Sequence, residues 1–257
     1  MYRTAEVILP VKKVISSPVT ASSFETQIAK MLDWASSNES RFVCVANAHM
    51  LTEANRQPEL AAVLETADIV TPDGMPLVWM MRLMGVPDQE RIAGLDILLS
   101  LFQLTPSRNI GIFFLGSEKR ILARMRERLN SEFPNLPIAG MEPLPFRPLT
   151  QAEDEAIIQK INKSGAGLVL VSLGCPKQEY WMAEHKDKIK AVMIGLGGAF
   201  PVYAGIHKRA PRWLQEAGLE WFYRLIQEPR RLWKRYWNSN PTFIWLALKQ
   251  LITQKSD

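Results

Sequence analysis

The chain has 257 residues, of which 47% are hydrophobic, and a formal net charge of +5. That length holds one sizeable core, or a core with an appendage, and the apolar content excludes a disordered chain. The positive balance implies an anionic partner, which nucleic acid, a phosphorylated substrate and a membrane surface would all satisfy.

Short β-prone apolar runs are predicted as strands at 42–45, 68–70, 110–115, 168–173 and 192–196. Helices are expected at 22–35, 51–65, 76–84, 94–103, 118–132, 151–163 and 176–186. Strands without alternation, each followed by a helix, define an α/β fold: a mostly parallel sheet, Rossmann-like, with helices on both faces. The proline-dense stretch at 142–148 reads as an irregular connection rather than a domain boundary. The strand and helix rhythm stops after about residue 200, so the expected organisation is an α/β core over 1–200 and a helical appendage over 201–257.

The two cysteines, Cys44 and Cys175, sit in apolar runs with no metal or disulfide spacing. They fit a reducing cytoplasm. The first twenty residues lack an export-signal pattern, and no window approaches the ~20 apolar residues of a spanning helix. Contact with a membrane is therefore expected to be peripheral.

Ligands of open parallel sheets collect at the carboxyl ends of the strands. Four such ends carry unusual polar residues. Asn47 and His49 follow the first predicted strand, where Asn47 offers an amide donor and acceptor to a ligand, or a cap to the next helix. Asp73 lies between Pro72 and Gly74 at another strand end, in position to act as a general base or simply to make a turn. Arg91 and Asp96 bracket a helix start, an arrangement suited to a diphosphate or to a surface ion pair. Gln178 stands in the Lys177–Gln178–Glu179 run after Gly174, and Gly197 and Gly198 permit close backbone approach. Neither a dinucleotide G-x-G-x-x-G nor a lysine phosphate loop is present, which disfavours oxidoreductase and ATPase readings. With three histidines and no aspartate pair of the metal-dependent sugar-transferase kind, no metal site is expected.

Taken in order, NAHMLTEA, ADIVTPDGMPLVW, ERIAGLD, GCPKQE and the long run from Gly197 to Tyr236 resemble the WecG/TagA/CpsF glycosyltransferase family over residues 43–237. The resemblance implies an inverting enzyme that moves N-acetylmannosamine or a related sugar from a UDP-sugar to an undecaprenyl-diphosphate-linked sugar, without a metal or other cofactor. It implies Asp73 as base, Arg91 as contact to the leaving diphosphate, and Gln178 near the donor sugar. Asn47 falls on the asparagine of the family's T-x-N motif. Two positions depart from the pattern: Val45 replaces the usual threonine, and His49 replaces an acidic residue. A different donor, such as glucose or a uronic acid, is thus the alternative within enzymes. A non-catalytic basic binding module is the alternative outside them.

Five of the eight tryptophans follow Ala210, at positions 213, 221, 233, 237 and 245. Arginines and lysines interleave with them, a composition suited to the headgroups of an anionic bilayer. At helical spacing Arg224, Arg231 and Arg235 share one side, beside an apolar one made by Trp221, Leu225, Leu232 and Tyr236. Pro229 is expected to start a second helix or kink the first. The family resemblance has this appendage cover the active site and contact membrane or diphosphate, for which Arg209, Arg212, Arg224, Arg231 and Arg235 are the candidates. It also implies self-association, and a protein peripheral on the inner face of the membrane. No nucleic-acid motif is recognised.

Overall fold

The computed structural model describes residues 9–145 and 147–254. A hairpin of β1 (Val11–Val14) and β2 (Ser17–Thr20) precedes α1 (Phe24–Ser36). Next come β3 (Arg41–Ala46), α2 (Ala48–Arg56), α3 (Pro58–Thr66), β4 (Ile69–Pro72) and α4 (Met75–Leu83). The core continues with α5 (Gly94–Arg108), β5 (Gly111–Gly116), α6 (Lys119–Glu132), β6 (Ile138–Glu142), α7 (Gln151–Ser164), β7 (Ala166–Ser172), α8 (Lys177–His185) and β8 (Val192–Gly195). The chain then becomes helical: α9 (Ala199–Tyr203), α10 (Arg212–Glu216), α11 (Glu220–Gln227) and α12 (Pro229–Gln254).

Six strands form one sheet in the order β4-β3-β8-β7-β5-β6, with every pair parallel. The strands are apolar on both sides because both faces are covered. Alternate residues of β3 show the division. Val43 and Val45 join the layer built by α1, α5, α6 and α9, whereas Phe42, Cys44 and Ala46 join the layer built by α2, α3, α4, α7 and α8. Phe200, Tyr203 and Ala204 belong to the first layer and Phe243 to the second, so the core draws on residues past 200.

The expected α/β class holds, and four details differ from the sequence reading. The helix expected at 51–65 is two helices, because Gln57 is extended and Pro58, which has no N–H to donate, opens α3. The helix beginning at Gly94 continues to Arg108 with Pro106 in its last turn, and Asn109 closes it in the left-handed conformation. The β1–β2 hairpin lies in a stretch whose lysines and Pro18 hide a strand signal. The edge strand β6 is only half-buried along its length, and Gly140 interrupts its apolar pattern.

The C-terminal helix packs across α2 on one side of the sheet. Arg56 donates to Thr242 at 2.9 Å, and Leu232 and Phe243 are buried. Each such side chain contributes about 1.5–3 kcal/mol. Further on, Gln250 takes the N–H of Ile15 at 2.6 Å and gives its amide to Lys13 at 2.9 Å, tying α12 to the hairpin. Pro229 opens this helix as its first residue, where a missing N–H costs nothing.

Candidate active site

β3 and β4 end side by side, and the residues just beyond them face one cavity of about 350 Å³, at the small end for a ligand site. α11 and α12 form its far wall. Asn47, His49, Asp73 and Arg91 line it from the core, and Glu220, Arg224, Arg235 and Tyr236 line it from the C-terminal helices.

Asn47 starts α2: its side-chain oxygen accepts the Met50 N–H at 3.2 Å, leaving the amide N–H groups for the cavity. Capping and ligand binding are compatible here. Asp73 is fixed by its own N–H, which donates to the Ala46 carbonyl at 2.8 Å across the strand ends. Its carboxylate accepts the N–H of Gly94, the first residue of α5, so a helix amino end faces the charge. Burial nonetheless pushes Asp73 up to about 6, with Glu220 adding to the rise and Arg91 and Arg224 opposing it. That value gives a stronger base than an ordinary carboxylate, and one still ionised near neutral pH.

Arg91 is the hub. Nη1 lies 2.7 Å from Glu220 and 4.0 Å from Asp73, while Nη2 donates to Gln215 at 2.6 Å and lies 3.8 Å from Asp96. Asp96 itself pairs with Arg209 at 2.6 Å. On the opposite wall Arg224 and Arg235 have no carboxylate within ion-pair distance among the described residues. Burial pulls the Arg235 guanidinium below its usual range, and its Nε has no partner. Both arginines are half-buried, and a buried N–H left without an acceptor, such as the Arg235 Nε, is costly until one arrives, so this wall suits an anion. His49 stands nearby with an unpartnered, buried Nδ1, and burial followed by Arg235 and Arg56 lowers its pKa to about 3. Its imidazole is therefore neutral.

The remaining sequence candidates lie elsewhere. Gln178 is buried and turned inward: its oxygen takes the Gly174 N–H at 3.2 Å and its amide donates to Glu179 at 2.8 Å. Gly197 packs on that side chain, and neither residue reaches the cavity wall. Gly198 meets the site through Arg224, because a side chain there would sit 3.3 Å from that guanidinium. Arg212 and Arg231 face solvent, paired with Glu216 and Glu228. Val45 packs in the core rather than on the cavity wall.

Sequence reasoning missed Gln215, Glu220, Trp79 and Phe243, all of which line the cavity. Glu220 lies 129 positions from its partner Arg91, and no spacing rule connects them. The backbone turn between α10 and α11 brings it in: Gly218 has φ +69° and lies flat on the Trp79 ring, where a Cβ would approach to 2.5 Å.

All five C-terminal tryptophans are at least 36% exposed, and Trp237 reaches 76%. Along α12 the outward stripe is Trp237, Ile244, Trp245, Leu248 and Ile252, opposite the buried Leu232 and Phe243. No helix among the described residues is long and apolar enough to cross a membrane. Nor do three or more His, Cys, Asp or Glu side chains cluster for a metal ion among those residues.

A carboxylate raised by burial and a guanidinium, meeting beyond the strand ends of an open parallel sheet, can take a proton and hold an anion, two tasks that group transfer requires. The comparison of sequences makes the class specific. Residues 12–257 match the profile of the glycosyl transferase WecG/TagA/CpsF family, and the chain belongs to that family. It is a glycosyltransferase. Among its relatives is the N-acetylglucosaminyldiphosphoundecaprenol N-acetyl-beta-D-mannosaminyltransferase of Bacillus spizizenii, 36% identical over 213 residues, which are 82% of this chain and 80% of the relative. The protein of the same name from Bacillus subtilis is 32% identical over 250 residues, 90% of this chain and 94% of the other.

Proposed function

We propose that this enzyme transfers N-acetylmannosamine, or a closely related sugar, from a UDP-sugar to an undecaprenyl-diphosphate-linked N-acetylglucosamine, with inversion. The observation that carries the reading is the meeting of Asp73 and Arg91, 4.0 Å apart, on one cavity wall of a family member whose relatives are named for that reaction. Asp73 removes the proton of the acceptor hydroxyl as its oxygen attacks the anomeric carbon. The bond to the diphosphate breaks on the opposite face, and the developing charge falls on Arg91, Arg224 and Arg235. Guanidinium groups thus take the place that a metal cofactor holds in other sugar transferases.

A lipid-linked acceptor, of the kind the relatives are named for, supports work at a membrane. The exposed aromatic stripe of α12, with Lys234 over Trp233 and Lys249 over Trp245, supports a peripheral position on the cytoplasmic face. His49 favours a second reading of the donor. A neutral imidazole in the cavity, where the family pattern has an acidic group, leaves glucose or a uronic acid as an alternative sugar.

A panel of UDP-sugars with a polyprenyl-diphosphate-N-acetylglucosamine acceptor, followed by UDP release and product mass, tests the proposal. One donor should be used, and Asp73→Asn should abolish its use. Undiminished transfer by that variant would remove Asp73 from the chemistry.

A further inference from the structure

Three carboxylates surround Arg91: Asp73 and Asp96 from the core and Glu220 from α11. A diphosphate arriving at this guanidinium adds negative charge that all three oppose, so one of them has to yield. Asp73 is tied to the sheet by its backbone bond to Ala46, and Asp96 stands in the first turn of α5 with Arg209 as a second partner. Glu220 pairs with Arg91 alone among the described residues, with no second arginine to hold it. It begins an eight-residue helix that carries no fully buried side chain, so its displacement disturbs little packing.

We propose that Glu220 is a positioning residue that acts as a displaceable counter-ion: it holds Arg91 in the substrate-free enzyme and gives up Nη1 to the incoming diphosphate. The proposal rests on the reading of Arg91 as the diphosphate contact. The geometry makes the exchange local. Nη2 keeps its bond to Gln215, a neutral and buried side chain also anchored to the Ala210 carbonyl at 2.7 Å, while Nη1 changes partner. Nη1 is also the nitrogen nearest Asp73, so the vacated position adjoins the base.

Two consequences follow. An internal anion competes with substrate, and apparent affinity falls by the fraction of enzyme in which Glu220 occupies the site. Its charge also bears on Asp73, which is faced by Glu220 and Arg224 from α11, by Arg91, and by the Gly94 N–H of α5. Of these groups Glu220 alone raises the pKa, so neutralising it moves the Asp73 titration to lower pH.

The test is UDP binding by calorimetry and the pH profile of kcat/KM, for full-length wild type, Glu220→Gln and Glu220→Ala. Gln keeps a hydrogen bond to Arg91 without the charge, and Ala serves should Gln fail to fold. The expected result is UDP affinity tightened about fivefold or more, with the acid limb of the profile moved to lower pH. If Glu220 only latches α11 in place, UDP binding is unchanged or weakened and the limb stays put; either observation overturns the proposal. Wild type that binds UDP, beside variants that bind no more tightly, refutes this inference alone. Absence of binding to UDP and to inorganic pyrophosphate in all three proteins refutes the diphosphate reading along with it.

Discussion

Replacing Asp73 by Asn should stabilise the protein while abolishing turnover. Asp73 is raised from 3.8 to about 6, a shift that makes ionisation near neutral pH cost up to about 3 kcal/mol relative to the unfolded chain. Its side chain is 28% exposed to the cavity, and solvent screening reduces that figure to about 1–2 kcal/mol. For a chain of this size the gain corresponds to roughly 2–4 °C in Tm. The sign follows from the raised pKa. The folded wild type binds more protons than the unfolded chain between 3.8 and about 6, so it loses stability as pH rises through that window. Asn lacks that loss. The Tm advantage of Asp73→Asn should therefore be full above about pH 7, shrink to about half by pH 5 and vanish below the unfolded value. Thermal melts at three pH values check it. A variant less stable than wild type by the same margin at each pH would show that the carboxylate is structural and would refute the reasoning.

The cavity's other walls give further expectations. Asn47→Ala should cost about 1 kcal/mol through loss of the α2 cap and also lose activity, whereas Asn47→Ser should restore the melting temperature but not the turnover. Arg235→Met removes a half-buried guanidinium whose Nε is buried without a partner, at similar volume. It should raise Tm while weakening UDP binding by about tenfold, and equal UDP affinity in the two proteins would take Arg235 out of the anion site. Trp237→Ala with Trp245→Ala removes two mostly exposed rings; the pair should leave the melt within about 0.5 kcal/mol of wild type yet reduce binding to anionic vesicles in a sedimentation assay.

The sheet was legible because its strands are buried on both faces, which turns them into continuous apolar runs such as the seven buried residues of β7. The hairpin and β6 were not, because one contains Lys12, Lys13 and Pro18 and the other is half-exposed with a glycine inside. Asp73 was readable for a related reason: strand ends in such a sheet point to one crevice, so a residue there is a candidate before any contact is known, whereas Arg91 was readable from its place just before a helix start. Gln178 shows the limit of position alone, since its side chain turned toward Glu179 rather than the cavity. Glu220 and Gln215 arrive by packing of a helix far along the chain, and only tertiary structure reveals what they meet.

The strand order also governs how this protein comes to be folded. β3 and β4 form one pair and β5, β6 and β7 another group, and β8 is the single strand bonded to both. It is also the last of the strands in the chain, with four residues from Val192 to Gly195. Before that segment is made, the strands already present can pair only as two separate groups, whose inner edges on β3 and β7 would be left open to the wrong neighbour. The insertion of β8 closes both edges at once. A four-residue strand therefore decides whether the two halves become one enzyme, and the interval before it emerges is when the growing chain most needs protection from aggregation.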